Sequence, residues 1–175
     1  MTGAAGPPGA APGPDAHAAW PVEGPLLGQG AAAETILRAL PGWFGIESAL
    51  LDYAAAAGEL PTFVVRASGS GPAGAPAGFV TLRPTSTHAL ELHVMGVLPE
   101  YHRRGIGRAL VERAAAYARA EGFALLHVKT LAPSDPDPGY AATRAFYEAL
   151  GFVPLEELPQ VWGPENPCLL LVRVL

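Results

Sequence analysis

The segment VLPEYHRRGIGRALVER, residues 97–113, combines arginines with a closely spaced pair of glycines. The chain has a formal net charge of -5 at pH 7, yet many of its basic residues cluster in and just after this segment: Arg103, Arg104, Arg108, Arg113 and Arg119. A nucleic-acid-binding protein normally spreads positive charge over a wide surface, because affinity rises with the number of phosphates neutralised. A local cluster in an acidic chain instead indicates a small anionic ligand, and we expect no nucleic-acid partner.

A helix that begins inside this segment would provide the binding site. The first turn of a helix leaves main-chain N–H groups unpaired, and the peptide dipoles add partial positive charge there. Gly105 and Gly107 would let a diphosphate approach the main chain, and Arg103, Arg104 and Arg108 would complement its charge. The alternative is a plain turn before a helix with solvated arginines, because both the P-loop pattern and the dinucleotide-binding fingerprint are incomplete here.

The surrounding sequence predicts strands over 62–67, 77–83, 89–97 and 124–131, and helices over 31–40, 46–57, 105–120 and 139–150. In the third helix, Ile106, Leu110, Ala114 and Tyr117 recur at helical spacing, and Gly122 follows as a stop. The segments 152–158 and 168–175 would supply two last strands.

This order of elements predicts an α/β (α+β) fold with a mixed central sheet. Consecutive strands before the arginine–glycine segment favour an antiparallel meander, whereas the strands 89–97 and 124–131 are joined by a helix and should lie parallel. Residues 1–24 are rich in Ala, Gly and Pro and predict a disordered tail. The remainder, 25–175, is expected to form one domain.

Two motifs in this order resemble the GNAT family of N-acetyltransferases. The family's Gln/Arg-x-x-Gly-x-Gly/Ala signature is matched by His102-Arg103-Arg104-Gly105-Ile106-Gly107, and AFYEALGF at 145–152 is similar to its tyrosine-bearing fourth helix. LPGWFGIESAL and WGPENPC look like parts of a stand-alone bacterial branch of unassigned substrate. His102 replaces the usual Gln or Arg, and Tyr140 stands where many members have Asn.

The resemblance implies the family's fold, with helices on both faces of the sheet and a splay between its parallel fourth and fifth strands. It also implies acetyl-CoA as co-substrate. Its pyrophosphate would lie on Arg103, Arg104, Gly105, Ile106, Gly107 and Arg108, and its pantetheine along Met95, Gly96 and Val97. A main-chain N–H near these last residues would polarise the thioester carbonyl.

Acetyl transfer to an amine needs a base for the amine and an acid for the departing sulfur. Glu91 and His93 lie two residues apart on one predicted strand, so both should face one side, with Met95 next along. Glu91 is the preferred base because its position resembles that of the family's catalytic glutamate, and His93 resembles a histidine used by other members. Tyr147, in the FYEALGF context, resembles the family's acid. The alternative for each is a structural polar residue.

Other candidates carry weaker signals. Cys168 heads an apolar strand and is expected in the core, and the histidines lack metal-ligand spacing, so no metal is predicted. Glu47 and Glu165 would border the acceptor pocket and hold a cationic group. Trp43, Phe44 and Trp162 are expected in the core or a lid.

The sequence therefore predicts an N-acetyltransferase that acts directly on a primary amine of a small molecule or peptide. A non-catalytic CoA-binding sensor remains the alternative. A toxin-like enzyme acetylating charged transfer RNA would need a broader basic surface than this chain offers. The absence of a long apolar stretch predicts no membrane partner, and the single cysteine suits a cytoplasmic location. A homodimer is a further expectation.

Overall fold

The computed structural model describes residues 20–67, 74–163 and 165–175. Its strands form one seven-stranded sheet in the order β1-β2-β3-β4-β5-β7-β6. Their bounds are β1 Val22–Leu26, β2 Thr62–Arg66, β3 Pro76–Pro84, β4 Ala89–Val97, β5 Leu125–Leu131, β6 Val153–Leu158 and β7 Cys168–Val174. The helices are α1 Gly30–Arg38, α2 Glu47–Glu59, α3 Ile106–Ala120 and α4 Pro138–Glu148, with a short 3₁₀ turn at Pro99–Tyr101.

The sheet is antiparallel at every pairing except that of β4 with β5, which is parallel. Two parallel neighbouring strands are joined by a crossover connection, which usually contains a helix. In this chain α3 is the helix that connects β4 to β5. The predicted mixed sheet, its antiparallel N-terminal strands and its parallel pair are therefore confirmed.

Helices cover both faces of the sheet, as predicted. On one face α3 packs through Leu110, Val111 and Ala114 against strand residues that include Leu90 and Leu92. On the other face α1 and α2 bury a separate apolar cluster that includes Ile36, Leu37, Leu50, Phe79 and Val94. The apolar spacing of α3 explains its position, because its buried residues recur every three or four positions along one side.

The parallel pairing of β4 and β5 ends at Leu92 and Val128, although both strands continue. Beyond this point the two strands diverge, and the sheet opens into the splay that the sequence resemblance implied. The edge of β4 from Val94 to Val97 is therefore not covered by β5. This opening lies beside the N-terminus of α3.

A bulge in β4 precedes the splay. Thr81 pairs with Val94 while the next residue of β3, Leu82, pairs with Leu92, so His93 is the extra residue. As a consequence Leu92 faces the α3 side of the sheet, whereas Val94 faces α1. Without the bulge both would face the same side.

Strand β1 was not predicted. Its sequence VEGPL contains Gly and Pro, which weaken any strand signal, but it pairs antiparallel with β2. The predicted tail over 1–24 therefore overlaps the start of β1, and its boundary at residue 24 needs correction. The rest of that prediction, residues 1–19, lies outside the described residues. Within the described residues, no helix combines the length and apolarity needed to cross a membrane.

Candidate active site

A cleft of about 1040 Å³ lies at the splay and extends to the N-terminus of α3. The loop between α1 and α2 contributes Trp43 and Phe44 to its lining, and α4 contributes Phe146 and Tyr147. The diverging ends of β4 and β5 form its floor. Because the sheet is open here, the cleft is lined by side chains from both of its faces.

The N-terminus of α3 forms one end of the cleft. Gly105 caps the helix with φ 86°, a left-handed conformation that favours glycine, and no side chain caps the first turn. The N–H groups of Ile106, Gly107 and Arg108 have no acceptor among the described residues. Arg103 and Arg108 also line the cleft. The unpaired amides and two guanidinium groups match the requirements of a diphosphate.

We call the unpaired amides of the first turn of α3, together with Arg103 and Arg108, the cradle. Two of the residues predicted to bind the pyrophosphate here, Arg104 and Ile106, do not direct their side chains into this end of the cleft. The Arg104 guanidinium lies over the ring of Tyr101, 5.6 Å from its centroid, and Arg104 does not line the cleft. The carbonyl of Arg104 accepts a hydrogen bond from Trp20 Nε1 at 2.7 Å. The side chain of Ile106 is buried in the core, so Ile106 can contribute only its main chain.

Gly107 has a packing role that the sequence did not indicate. A Cβ atom at this position would lie 3.1 Å from the Phe146 ring, tighter than nine in ten real Cβ contacts. Glycine therefore lets α4 approach the first turn of α3. A bulkier residue at 107 would displace Phe146 as well as obstruct a ligand.

The free edge of β4 continues the site from the cradle. Leu98 N–H donates to the Ala77 carbonyl of β3 at 2.9 Å, so by antiparallel alternation the main-chain groups of Met95 and Val97 point away from β3. They point to the side on which β5 has diverged. Gly96 is buried against Ile36 of α1. Met95 and Val97 therefore offer main-chain groups to an extended ligand.

His102 binds one of these main-chain groups, the Val97 carbonyl. Its Nε2 lies 2.8 Å from the Val97 carbonyl oxygen and, as an N–H, donates a hydrogen bond to it. The ring of His102 also meets Trp43 edge to face, with 6.3 Å between centroids. The residue that replaces the family's Gln or Arg thus ties the end of β4 to the loop before α3.

Glu91 lies at the other end of the cleft, in an ion-pair cluster. It is 2% exposed, and its Oε2 accepts from Arg83 Nη2 at 2.7 Å while its Oε1 accepts from Lys129 Nζ at 2.5 Å. Burial by itself raises the pKa of Glu91, but hydrogen bonds to His93 and Lys129 and the nearby positive charges outweigh it. The net effect holds the pKa of Glu91 well below its usual range, so the group stays a carboxylate.

His93 stands beside this cluster. Its Nδ1 lies 3.5 Å from Glu91 Oε2, and its ring meets Tyr53 of α2 edge to face with 5.4 Å between centroids. The prediction that Met95 shares their side of β4 is wrong. Met95 packs with the α3 cluster, whereas Tyr53 packs with the α1–α2 cluster, because the bulge at His93 reverses the alternation.

Tyr147 lines the cleft from the α3 side of the sheet. It is 5% exposed and packs edge to face between Phe146 and Phe152, with centroid distances of 5.1 and 5.5 Å. Burial raises the pKa of Tyr147, so its hydroxyl remains protonated. On the same helix, Ala142, Ala145 and Ala149 are exposed, whereas Phe146 packs against the α3 cluster.

The loop between α1 and α2 is tied to α4 across the cleft. Trp43 Nε1 donates to Thr143 Oγ1 at 3.2 Å, and the Tyr140 hydroxyl donates to the Trp43 carbonyl at 3.1 Å. Tyr140, which departs from the family pattern, thus connects α4 to the α1–α2 loop. We call these two segments the cleft wall. Phe44 packs against the α1–α2 core, and Trp162 lines the cleft from the segment before β7.

The two predicted acceptor carboxylates do not line the cleft, although their chain neighbours Ile46 and Asn166 do. Glu47 pairs with Arg38 through two hydrogen bonds of 2.8 and 3.1 Å and is exposed, and Glu165 is exposed and does not line the cleft. Cys168 is buried in the sheet, and burial raises the pKa of its thiol. Among the described residues, no group of three or more His, Cys, Asp and Glu side chains could hold a metal ion.

Sequence reasoning missed several polar residues of the cleft, and Arg83, Lys129 and Thr130 are the most notable. Arg83 and Lys129 come from β3 and β5, and only their pairing with Glu91 brings them together. Thr130 is buried in the cleft lining, and its hydroxyl has no hydrogen-bond partner among the described residues. A lone Arg, Lys or Thr within a strand gives no local signal of such a role.

The helix N-terminus, the free strand edge and the buried tyrosine lie along this one cleft. The family model described as "Acetyltransferase (GNAT) domain" matches residues 57–154, more than half of the chain. The chain belongs to this acetyltransferase family, whose general reaction is acetyl transfer from the co-substrate acetyl-CoA. No curated protein matches the sequence.

Solved structures share the fold at low sequence identity. A GNAT-family protein from Desulfovibrio desulfuricans has a TM-score of 0.69 and 17% identity, over 88% of this chain and 98% of that one. The ribosomal-protein-S18-alanine N-acetyltransferase from Escherichia coli has a TM-score of 0.66 and 22% identity, over 88% and 92%. A GNAT acetyltransferase from Elizabethkingia anophelis, solved with acetyl-CoA bound, has a TM-score of 0.61 and 14% identity, over 78% and 88%.

Proposed function

We propose that the protein transfers the acetyl group of acetyl-CoA directly to a primary amine of a small molecule or peptide. The observation that carries this proposal is the continuity of one cleft. It joins the unpaired amides of Ile106, Gly107 and Arg108 to the free edge at Met95 and Val97, and then to Glu91 and His93.

The residues around α3 and β4 would bind the co-substrate. Main-chain N–H groups of the first turn, with Arg103 and Arg108, would hold the pyrophosphate, and the edge at Met95 and Val97 would hydrogen-bond the pantetheine. Arg104 would contribute only its main chain. When bound, acetyl-CoA supplies a thioester whose carbonyl is open to attack by an amine.

Tyr147 would act as the general acid. Its raised pKa keeps the phenol protonated, and the hydroxyl has no hydrogen-bond partner among the described residues, so its proton is available to the departing sulfur. In the overall reaction the C–N bond forms, the C–S bond breaks, and Tyr147 protonates the thiolate. The phenolate is then reprotonated from solvent or the amine's proton.

His93 is the better base of the two predicted candidates. Both carboxylate oxygens of Glu91 are engaged by cations and its pKa is held low, which makes Glu91 a poor proton acceptor. A contact between His93 Nδ1 and Glu91 leaves Nε2 free to take a proton from the amine, directly or through water. We therefore propose Glu91 as a positioning residue that orients His93 and holds Arg83 and Lys129.

The two faces of the sheet give these groups separate tasks. Tyr147 approaches the splay from the α3 side, whereas Glu91, His93 and Tyr53 approach it from the α1–α2 side. The amine would enter from the side of His93, and the sulfur would depart toward Tyr147. This separation favours direct attack within the splay.

A screen for thiol release tests the proposal against a non-catalytic CoA sensor. The protein is incubated with acetyl-CoA and panels of amines, amino acids, amino-sugars and peptides, while free thiol is measured. Saturable, acceptor-dependent thiol release and an acetylated product by mass spectrometry are expected. Saturable CoA binding without thiol release from any acceptor would support the sensor instead. The predicted cytoplasmic location, bacterial origin and homodimer stay predictions.

A further inference from the structure

The charged side chains of the cleft are predominantly basic. Within the described residues, those that line it are Arg83, Glu91, Lys129, Arg103 and Arg108. Glu91 is the single carboxylate among them. Arg103 and Arg108 lie at the α3 end, where they face the proposed pyrophosphate. Arg83 and Lys129 lie at the opposite end, beside the proposed base, and need another explanation.

Glu91 does not exhaust the hydrogen-bonding capacity of its two cationic partners. Arg83 directs both Nε and Nη2 to the same oxygen, Glu91 Oε2, at 2.9 and 2.7 Å, and its Nη1 has no partner among the described residues. Lys129 gives one hydrogen bond to Glu91 Oε1, and the remaining N–H bonds of its ammonium are free. The Arg83 side chain is 44% exposed, so a ligand can reach it.

The charges of the cluster also fail to cancel. Two cations share one carboxylate whose pKa is held low, so the cluster keeps a net positive charge when His93 is neutral. The carboxylates expected at this pocket do not line it: Glu47 pairs with Arg38, and Glu165 is not among the lining residues. A polycationic acceptor would be repelled here, whereas a carboxylate would find complementary charge and free N–H donors.

We propose that the acceptor is a primary amine that also carries a carboxylate, as α-amino acids do, and that Arg83 and Lys129 bind this carboxylate. The inference rests on the proposed acetyl transfer and narrows its acceptor. The carboxylate would anchor the acceptor on the α1–α2 side of the splay, with its amine toward His93. Arg83 and Lys129 would then determine specificity rather than perform chemistry.

Binding and turnover are measured separately, so that each proposal can fail alone. Isothermal titration calorimetry compares L-amino acids with their C-terminal amides on the full chain saturated with CoA. The amides match the acids in shape but lack the negative charge. The variants are Arg83→Met, Arg83→Lys and Lys129→Met, with Arg119→Met as a control that removes an exposed cation at the end of α3. Circular dichroism and CoA affinity verify that each variant is folded.

We expect at least one amino acid of the panel to bind about tenfold to a hundredfold more tightly than its amide. Arg83→Met and Lys129→Met should reduce this preference, Arg83→Lys should retain part of it, and Arg119→Met should retain all of it. Equal or tighter binding of the amides, a preference that survives both methionine variants, or no binding by any amino acid would overturn the proposal.

Thiol release then tests the proposed acetyl transfer itself. Release with amides or simple amines but not with amino acids would overturn the carboxylate-bearing acceptor and leave acetyl transfer intact. A charge-dependent binding preference without release from any amine would support the carboxylate site and overturn acetyl transfer.

Discussion

Replacement of Glu91 by glutamine tests whether this carboxylate holds the charged cluster together. Glutamine keeps the shape of the side chain and removes its charge. Glu91 is 2% exposed and contacts Arg83 at 2.7 Å and Lys129 at 2.5 Å, so the substitution leaves two cations without a counter-charge. We expect Glu91→Gln to fold but to be clearly less stable than the parent protein.

The structure sets the size of this loss. Removing one partner of a buried ion pair typically costs about 3–5 kcal/mol. The side chains of Arg83 and Lys129 are 44% and 23% exposed and can regain water, which lowers the cost. We therefore expect the free energy of unfolding at pH 7 to fall by about 2–3 kcal/mol.

The loss should also depend on pH. The folded protein holds the pKa of Glu91 below the value of about 4.3 expected in the unfolded chain. Such a group stabilises the fold fully above the unfolded value and loses this contribution as pH falls toward the folded one. The difference between the parent protein and Glu91→Gln should therefore be constant above about pH 6 and shrink in acid.

Urea denaturation at pH 7 and at acidic pH measures this difference, with the slope of the unfolding free energy serving as a check on two-state behaviour. Glu34→Gln is the matched control, because Glu34 pairs with Arg38 at 2.8 Å and both side chains are exposed, by 39% and 46%. That surface pair should contribute about 0–1 kcal/mol. Equal losses in the two variants, or a Glu91→Gln loss that does not change with pH, would refute the reasoning.

The remaining predictions concern the coenzyme site and the cleft wall. Tyr147→Phe keeps the ring packing and removes the proposed acid, so kcat should fall about 10²–10⁴-fold with little change in acetyl-CoA affinity; an unchanged kcat in steady-state kinetics would remove Tyr147 as the acid. Arg108→Ala should weaken acetyl-CoA binding about tenfold in calorimetry, whereas Arg119→Ala should not; equal effects would count against the cradle. Tyr140→Phe removes the hydrogen bond to the Trp43 carbonyl and should lower the free energy of unfolding by about 1 kcal/mol; thermal denaturation with no change in Tm would show that this bond does not stabilise the wall.

A valine at Gly107, introduced to block the cradle, would be a poor test of coenzyme binding. The new side chain would meet the Phe146 ring before any ligand arrived. Loss of coenzyme binding in Gly107→Val could therefore report displaced α4 packing. Arg108→Ala avoids this ambiguity because Arg108 is exposed at the cleft.

The sequence by itself determined the features that depend on neighbouring residues. The apolar spacing of 105–120 predicts α3, which spans Ile106–Ala120, and the predicted strand 89–97 matches β4. The unpaired amides at the N-terminus of α3, where we propose that phosphate binds, were also predictable, because a left-handed glycine and a run of unpaired amides arise within a few residues of chain. The parallel pair followed from the order of strand, helix and strand.

Only the tertiary structure decided how the far end of the cleft is built. The bulge at His93 depends on the register between β3 and β4, and it places Met95 on the face opposite Glu91. The cluster of Glu91 with Arg83 and Lys129 joins residues from separate strands, and its charges set the pKa of Glu91. Local periodicity predicts secondary-structure elements and the ends of helices. Register and cross-strand contacts are instead fixed by long-range pairing and packing. The net positive charge around Glu91, where we propose that the acceptor binds, therefore became apparent only in the folded chain.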